Sequence, residues 1–599
     1  MSGSLAACLL GTLLPILDPR SAASDDDAAK PQLVTLDLAD LGDEDPTPRA
    51  PFGPRQRNFL ADLERLKQLA ADPSVVAIRL EPFHGLDGAR ATDVLRELQA
   101  AKAAGKKLVC FAEALDRSAL QFASMADLLM IPPAGEIALE APSAELLYMK
   151  ELLAKVGVRY DVLHVGEFKT AFEDMSRATM SDEQRLSMRA LLKERYETTV
   201  ETIAKNRRID RAKVEAGFEA VLVSPAEALA LGLIDAVGYE DEFDAKVAAL
   251  LGAAPDAIEM VEEYGEEEGP DLGELDNPFA LFGKLKELLE PKEESLPDGA
   301  RIAIVYASGG ITSGESSVGF GGATMGADTI VAALDTARDD EQVKAVVLRI
   351  NSPGGSALAS DLIWRAVQRC REKKPVIASM GGVAASGGYW LAMGCDRILA
   401  QPSTITGSIG VVAAVPNLAE TWEKVGINVE VVGYGPHAEE LSMMRDGLPQ
   451  VLRGKLERSM QEIYAEFVAK AAKGRKLDPV ALELNARGRV WSGREAKEIG
   501  LIDGFGGLRE AIAMACFLGG RLDPATTPRR ELPEAPDFFE QLKEQFGGLV
   551  SAKAPLALLA REFGGEAVAD ALAPFLAEPA AGQSRWQLHC TLPWALRIR

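Results

Sequence analysis

The chain has 599 residues, of which 47% are hydrophobic, and a formal net charge of −25. That length exceeds what one hydrophobic core usually serves, so we expect at least two domains. The negative charge opposes binding to phosphate backbones and excludes nucleic acid as a partner. With six scattered cysteines, no CxxC motif and four histidines, we expect neither a disulfide framework nor a metal site, and we expect no cofactor.

The chain begins with an apolar stretch, "LAACLLGTLLPIL" at residues 5–17, followed by small and then acidic residues. Thirteen residues are too few to span a bilayer but suit the apolar part of an export signal. No Lys or Arg precedes the stretch, so the charged start of such a signal is missing. We predict that residues 1–24 form a signal-like or membrane-attachment segment, with a disordered tail as the alternative.

An internal repeat organises the rest of the chain. "VVAIRLEP" (75–82) matches "VVLRINS" (346–352) when Arg79 is aligned with Arg349, and "SPAEALALGLIDAVG" (224–238) matches "SGREAKEIGLIDGFG" (492–506), always 268 to 270 residues apart. Two copies of one fold explain this spacing. We therefore predict the following division: a first repeat at 25–255, an acidic and partly helical linker at 256–299, a second repeat at 300–518, and an extension of unknown role at 519–599.

Within each copy, short β-branched runs alternate with amphipathic stretches of helical length. In the second copy, 343–350 is predicted as a buried strand, 356–374 as a helix and 375–380 as the next strand. This pattern predicts an α/β fold with a mostly parallel sheet, in which loops at the carboxyl ends of strands carry the chemistry. The glycine-rich stretches "NSPGGS" (351–356) and "GGVAASGG" (381–388) follow two of these strands.

One hydroxyl, that of Ser386, stands among residues with very small side chains in "AASGG". A nucleophilic serine at a strand-to-helix turn needs such neighbours so that a substrate carbonyl can approach, and nearby N–H groups can hold the oxyanion. The backbone N–H groups of Gly387 and Gly355 are the candidate donors. The alternative interpretation is that both glycine-rich stretches only pack a helix tightly on a sheet.

The proton acceptor for this serine is not an obvious histidine, because none lies between Ser386 and Pro436. A lysine can serve if burial lowers its pKa. Lys169 stands out in "VGEFKTAFEDM" (165–175), because the second copy has "GPHAEEL" there, while the first copy lacks the serine motif. Each copy thus holds a motif that the other lacks. The alternative is that Lys169 is an ordinary surface lysine.

The motifs "RINSPGGS", "VAASGGYWLA", "PSTITGSIGV" and "GEFKTAFE" together resemble the long form of signal peptide peptidase, or protease IV, of peptidase family S49. The resemblance covers most of residues 30–515. It implies two tandem Clp-protease/crotonase-like repeats and a Ser-Lys dyad of Ser386 and Lys169. It also implies that Ser408 orients the lysine and that the N–H groups of Gly355 and Gly387 form the oxyanion hole. Ser118, in "LDRSA", falls a residue or two from the nucleophile position, so we expect no second active site.

The resemblance also implies a function and a location. It predicts a homotetrameric serine endopeptidase, exported to the bacterial inner membrane or its periplasmic side, that degrades signal peptides left after preprotein processing. Its partners would be apolar peptides. A crotonase-type acyl-CoA enzyme and a catalytically inactive scaffold of the same fold are the alternatives; the first usually needs carboxylates where "AASGG" supplies a hydroxyl.

Overall fold

The structure is a computed structural model that describes residues 30–44, 58–81, 85–262, 264–265, 297–319, 322–442, 447–534 and 589–591. The predicted attachment segment, 1–24, lies outside these ranges, as do most of the predicted linker and most of the C-terminal extension. Among the described residues, no helix has both the length and the apolar character that a membrane crossing requires.

The first half of the chain alternates strands and helices, as predicted. Its strands are β1 (Gln32–Asp37), β2 (Val75–Glu81), β3 (Lys107–Phe111), β4 (Ala114–Asp116), β5 (Leu128–Ile131), β6 (Glu136–Ala138), β7 (Arg159–Val165), β8 (Leu222–Val223), β9 (Ala236–Val237) and β10 (Glu259–Val261). Its helices are α1 (Phe59–Ala71), α2 (Gly88–Ala103), α3 (Arg117–Ala123), α4 (Lys150–Lys155), α5 (Glu173–Ser176), α6 (Asp182–Arg207), α7 (Arg211–Ala220), α8 (Pro225–Leu231) and α9 (Glu240–Leu251).

The second half repeats this alternation. Its strands are β11 (Arg301–Ser308), β12 (Gly310–Thr312), β13 (Ser317–Gly319), β14 (Gly322–Gly326), β15 (Val343–Ser352), β16 (Gly354–Ser356), β17 (Val376–Ala385), β18 (Arg397–Ala400), β19 (Ile405–Gly407), β20 (Val411–Asn417), β21 (Val490–Ser492), β22 (Gly504–Phe505), β23 (Arg529–Leu532) and β24 (His589–Thr591). Its helices are α10 (Ala327–Asp339), α11 (Ala357–Arg371), α12 (Gly387–Ala392), α13 (Ala419–Lys424), α14 (Gln450–Arg475), α15 (Pro479–Asn485), α16 (Gly493–Glu498) and α17 (Leu508–Leu518).

Each half builds its own mostly parallel sheet. The first has the order β10-β1-β2-β3-β5-β9, and the second the order β21-β19-β17-β15-β11-β23, with β18 and β22 beside β17. The strands β11 and β15 are almost entirely buried, because helices cover both faces of this sheet. The predicted fold class, two tandem α/β repeats with mostly parallel sheets, is confirmed.

The two halves also repeat individual interactions. Helices α6 and α14 each have 26 residues and end in a left-handed C-cap. An arginine in the last turn of each helix pairs with an aspartate that follows the next helix pair: Arg207 with Asp235, and Arg475 with Asp503. The internal duplication therefore extends from sheet order to single ion pairs.

One sequence alignment within the repeat is wrong by two residues. The sequence analysis aligns Arg79 with Arg349. In the structure, Thr35 of β1 pairs with Arg79, and Ile304, which holds the same position in β11, pairs with Val347. Arg79 therefore corresponds to Val347. Both strand pairs carry the same register shift at their first residue, which fixes the comparison. The error could not be detected in the sequence, because a shift of two residues leaves every side chain on the same face of a strand.

Strands also continue past the predicted repeat boundaries at residues 255 and 518. Glu259–Val261 pairs in parallel with β1 within the predicted linker, and Arg529–Leu532 pairs in parallel with β11 within the predicted extension. These short edge strands contain charged residues and show no alternation that could be recognised in the sequence. The remaining part of the predicted division stays a prediction.

A third sheet joins the two halves. Its order is β13-β14-β12-β16-β24-β20-β7, so it contains one strand from the first half, β7, beside β20 of the second half. These two strands are antiparallel, with Val165 opposite Val411 and Arg159 opposite Asn417. This pairing carries the segment that follows β7, including Lys169, to the second repeat.

Candidate active site

Ser386 lies at the turn between strand β17 and helix α12, which begins at Gly387. Its side chain is completely buried, and its backbone has φ 57° and ψ −115°, a conformation that is rare for residues other than glycine. The turn is held by its backbone, because Ser386 N–H donates to Gly407 O at 2.8 Å and Ser386 O accepts from Trp390 N–H at 2.9 Å. A positive φ at a strand-to-helix turn is the geometry of a nucleophile elbow.

The glycines around Ser386 are required for packing as well as for access. A Cβ on Gly387 would lie 2.6 Å from Ser360 Oγ and 3.1 Å from Gly354 Cα, and one on Gly388 would lie 2.7 Å from Ser352 O. The tight packing that the alternative interpretation invokes is therefore present, and it is compatible with a nucleophile at Ser386.

The two glycine-rich stretches were predicted as loops, and this is only partly right. Strand β17 continues through Gly381 to Ala385, and Gly354–Ser356 forms strand β16. Glycine lowers strand propensity in a sequence, but here it permits close approach: a Cβ on Gly381 would lie 3.1 Å from the side chain of Asn351.

Lys169 reaches this turn from the first half of the same chain. Its Nζ lies 2.7 Å from Ser386 Oγ and 3.0 Å from both Ser408 Oγ and Ser408 O. The lysine is 1% exposed, and both serines are fully buried. The structure thus brings together the three side chains that the sequence analysis singled out, and it does so within one chain.

The backbone that carries Lys169 is fixed by a neighbouring segment, Arg487–Arg489. Phe168 N–H donates to Arg487 O at 2.9 Å, and Ser408 N–H donates to Arg489 O at 2.7 Å. Gly488 packs directly on the lysine, since a Cβ there would lie 2.4 Å from Lys169 N. One short segment therefore sets the positions of both the lysine and the serine that contacts it.

The two predicted oxyanion donors lie on elements next to Ser386. Gly387 is the first residue of α12, so its N–H has no acceptor within that helix. Gly355 lies in strand β16, which pairs with β12 on one side and with β24 on the other. Because Gly354 packs on Gly387, the edge of β16 runs beside the nucleophile turn.

Among the described residues of the first half, no comparable site surrounds Ser118. Helix α3 corresponds to α12, and its N-cap is Asp116, whose side chain accepts a hydrogen bond from Ala119 N–H. Ser118 lies two residues further along, inside the helix. An aspartate that caps a helix occupies the place where the second repeat has Ser386.

A buried ionic cluster lies where the two halves meet. Arg349 of β15 is fully buried and forms two 2.6 Å hydrogen bonds to Glu44. Burial would lower the pKa of this arginine, but the Glu44 carboxylate raises it above its usual value. Asp93 of α2, close by, is hydrogen-bonded to Gln401, and burial raises its pKa to about 7.

Apart from Ser408, sequence reasoning missed the residues that hold Lys169 in place. Gly410 and Gly488 both pack on Lys169, and the pairing of β7 with β20 delivers it, but none of these contacts has a local signal. The only feature of the sequence that indicated close packing here was the glycines that flank Ser408 in "TGSIG".

Comparison with known proteins shows the family to which the chain belongs. The family model described as Peptidase family S49 matches residues 100–254 and 368–517, and the Clp protease model matches residues 322–405. The chain belongs to peptidase family S49. The S49 match falls on both repeats, which agrees with the duplicated fold.

Three relatives illustrate the similarity. The chain is 31% identical over 454 residues to serine protease SPPA, chloroplastic, of Arabidopsis thaliana, covering 76% of this chain and 64% of that one. It is 30% identical over 473 residues to Protease 4 of Haemophilus influenzae, covering 77% and 73% of the two chains. A protein of Enterococcus faecium named as a signal peptide peptidase, SppA, is 31% identical over 229 residues, which are 37% of this chain and 66% of that one.

Proposed function

We propose that this S49 family member is a serine endopeptidase in which Ser386 is the nucleophile and Lys169 the general base. The observation that supports this most directly is the 2.7 Å contact between Lys169 Nζ and Ser386 Oγ in a buried site. A nucleophile within hydrogen-bonding distance of a base that a third group orients is the arrangement that covalent catalysis requires.

The reaction is acyl transfer in two stages. Neutral Lys169 removes the proton from Ser386 Oγ, which attacks the scissile carbonyl, and the N–H groups of Gly355 and Gly387 hold the resulting oxyanion. The protonated lysine then gives its proton to the leaving amine, which departs and leaves an ester on Ser386. A water molecule, deprotonated by the same lysine, attacks this ester. The lysine then returns the proton to Ser386 Oγ as the ester bond breaks, and the new carboxylic acid ionises and leaves as a carboxylate.

Lys169 has to be neutral when it acts. Burial disfavours an ammonium group, so the proposal requires that the pKa of Lys169 lie below the usual value of a lysine. Ser408 contributes orientation, because its hydroxyl and its carbonyl oxygen both contact Nζ at 3.0 Å. We assign Ser408 as a positioning residue.

We further propose that the substrates are apolar peptides, signal peptides left after preprotein processing, cleaved at the bacterial inner membrane or its periplasmic side by a homotetramer. The support is the resemblance of the motifs and the name of the Enterococcus faecium relative. The two alternatives, a crotonase-type acyl-CoA enzyme and an inactive scaffold, are less well supported. The S49 peptidase match falls on both repeats, and Lys169 contacts both Ser386 and Ser408.

A fluorophosphonate probe and a peptide assay together test this function. The wild type should form a covalent adduct, mapped to Ser386 by mass spectrometry, and should cleave a leucine-rich synthetic signal peptide faster than a hydrophilic peptide of equal length. A Ser386→Ala variant should do neither. An adduct at another serine, or equal cleavage of the two peptides, would contradict the nucleophile assignment or the substrate class respectively. Light scattering of the purified protein tests the tetramer.

A further inference from the structure

A cavity lies beside helix α3 of the first repeat, the helix that corresponds to α12 in the second repeat. Arg117 of α3, Arg195 of α6 and Ser403 of the second half all line it. The cavity has a volume of about 30 Å³ and is partly open to the surface. Such a volume has room for roughly two or three water-sized groups. The cavity can therefore hold one small polar group, at a place where the two halves meet.

Two arginines face this cavity without an acidic partner. Arg117 is 7% exposed, and its only side-chain hydrogen bond to a described residue runs from Nη1 to Glu140 O at 3.1 Å. Arg195 is partly buried and forms no ion pair or side-chain hydrogen bond with any described residue. Burial and the neighbouring Arg195 lower the pKa of Arg117 to about 10. Because arginines this buried are rarely left unpaired, the two guanidinium groups make the cavity attractive to an anion.

The carboxylates nearby serve other groups. Asp116 caps helix α3, where it accepts a backbone hydrogen bond. Asp87 caps helix α2 and accepts a hydrogen bond from Arg90 Nε at 2.8 Å. Burial lowers the pKa of Arg195, and the attraction of these two carboxylates offsets this only in part. Positive charge therefore remains available to a ligand in the cavity.

A hydroxyl group completes the lining. Ser403 Oγ is buried, yet it has no hydrogen-bond partner among the described residues. It lies against Gly88, where a Cβ would come within 2.6 Å of it. A buried hydroxyl without a partner costs free energy, which a ligand that accepts its hydrogen bond recovers. The two guanidinium groups and this hydroxyl can all donate, and an oxyanion requires donors.

We propose that this cavity is a binding site for an oxyanion, held by Arg117, Arg195 and the hydroxyl of Ser403. The charged group of the ligand is a carboxylate or a phosphate, because the planar guanidinium fork matches the geometry of both. Two sources supply such a group: the C-terminus of a peptide, and a small free anion such as inorganic phosphate. The site is separate from the proposed dyad, and the inference does not rest on the proposed function.

Isothermal titration of the full chain with inorganic phosphate, at constant ionic strength, tests the site. Arg117→Gln should bind phosphate about tenfold or more weakly than the wild type, because it removes charge-assisted hydrogen bonds. Arg195→Gln, at the less buried arginine, is a second variant with the same expectation. Arg189→Gln is the matched control: Arg189 is an exposed arginine of α6, so this variant loses the same charge and should bind phosphate like the wild type. Thermal unfolding checks that each variant is folded.

Two fluorescein-labelled peptides of one sequence, ending in a free carboxylate or in an amide, distinguish the two sources. Their Kd values are measured in a Ser386→Ala background, where no turnover can occur. A lower Kd for the free acid, lost when Arg117→Gln is added, assigns the site to peptide termini. Equal Kd values, with phosphate bound as expected, assign it to a free anion. If phosphate bound equally to Arg117→Gln, Arg195→Gln and Arg189→Gln, or if the wild type bound neither phosphate nor the free acid, the inference would be overturned. None of these measurements uses cleavage, so a failure of the proposed function is recognised separately.

Discussion

Lys169 Nζ and Ser386 Oγ lie 2.7 Å apart, although 217 residues separate them in the sequence and they belong to different repeats. The contact exists because β7 of the first repeat pairs with β20 of the second. The duplicated fold thus brings the two residues of the proposed dyad together from two halves, each of which supplies one of them.

Ser386→Ala should abolish peptide cleavage and leave the fold intact, because it removes only a hydroxyl from a turn that is held by backbone hydrogen bonds. We expect residual kcat/KM below about a thousandth of the wild-type value. Ser118→Ala is the matched control and should have no effect, since Ser118 lies inside α3 of the first repeat. A large loss of activity in Ser118→Ala would contradict the assignment of a single site.

Ser408→Ala should lower kcat more mildly than the loss of either dyad residue. The variant removes one of two contacts from Ser408 to Nζ, and the carbonyl contact at 3.0 Å remains. A loss of about ten- to a hundredfold corresponds to one hydrogen bond to a catalytic group. Inactivity equal to that of Ser386→Ala would show that the hydroxyl does more than orient the lysine.

Gly488→Ala should reduce activity strongly by displacing the lysine. Gly488 has φ 80°, and a Cβ there would lie 2.4 Å from Lys169 N and 2.6 Å from Lys169 Cα. Gly454→Ala is the control: that glycine is exposed in α14, a Cβ there meets nothing within 4 Å, and the variant should be as active as the wild type. Steady-state kinetics and thermal unfolding of the two variants make the comparison. Full activity in Gly488→Ala would contradict the described packing.

Asp93→Asn should change how stability depends on pH. Burial raises the pKa of Asp93 to about 7, so the folded state binds a proton that the unfolded state releases near pH 4. The stability from this protonation is complete below about pH 4 and is lost as pH rises through about 7. At pH 8 we therefore expect Asp93→Asn to be more stable than the wild type, by on the order of 1–3 kcal/mol, with the difference gone at pH 4. Denaturant unfolding at both pH values measures this, and a wild type that is the more stable protein at pH 8 would contradict it.

The sequence predicted the repeated α/β fold well, because buried parallel strands and amphipathic helices leave strong periodic signals. Ser386 could be proposed from its small neighbours, and Lys169 from the unequal loss of motifs between the copies. Their contact could not be predicted from spacing, since it depends on antiparallel pairing between strands of different repeats. The edge strands β10 and β23 were missed because strands of three or four residues that include charged side chains are too short to show a hydrophobic alternation.

The central claim is that Lys169 acts as a base, and the activity of Lys169→Arg tests it most directly. A guanidinium stays protonated at any usable pH and cannot accept the serine proton, whereas it keeps the positive charge of an ammonium. We expect Lys169→Arg to be as inactive as Lys169→Ala, and we expect wild-type kcat/KM to rise with pH through a pKa below that of an ordinary lysine. If Lys169→Arg retained substantial peptidase activity, Lys169 would have only an electrostatic or structural role, and the account of the dyad would be wrong.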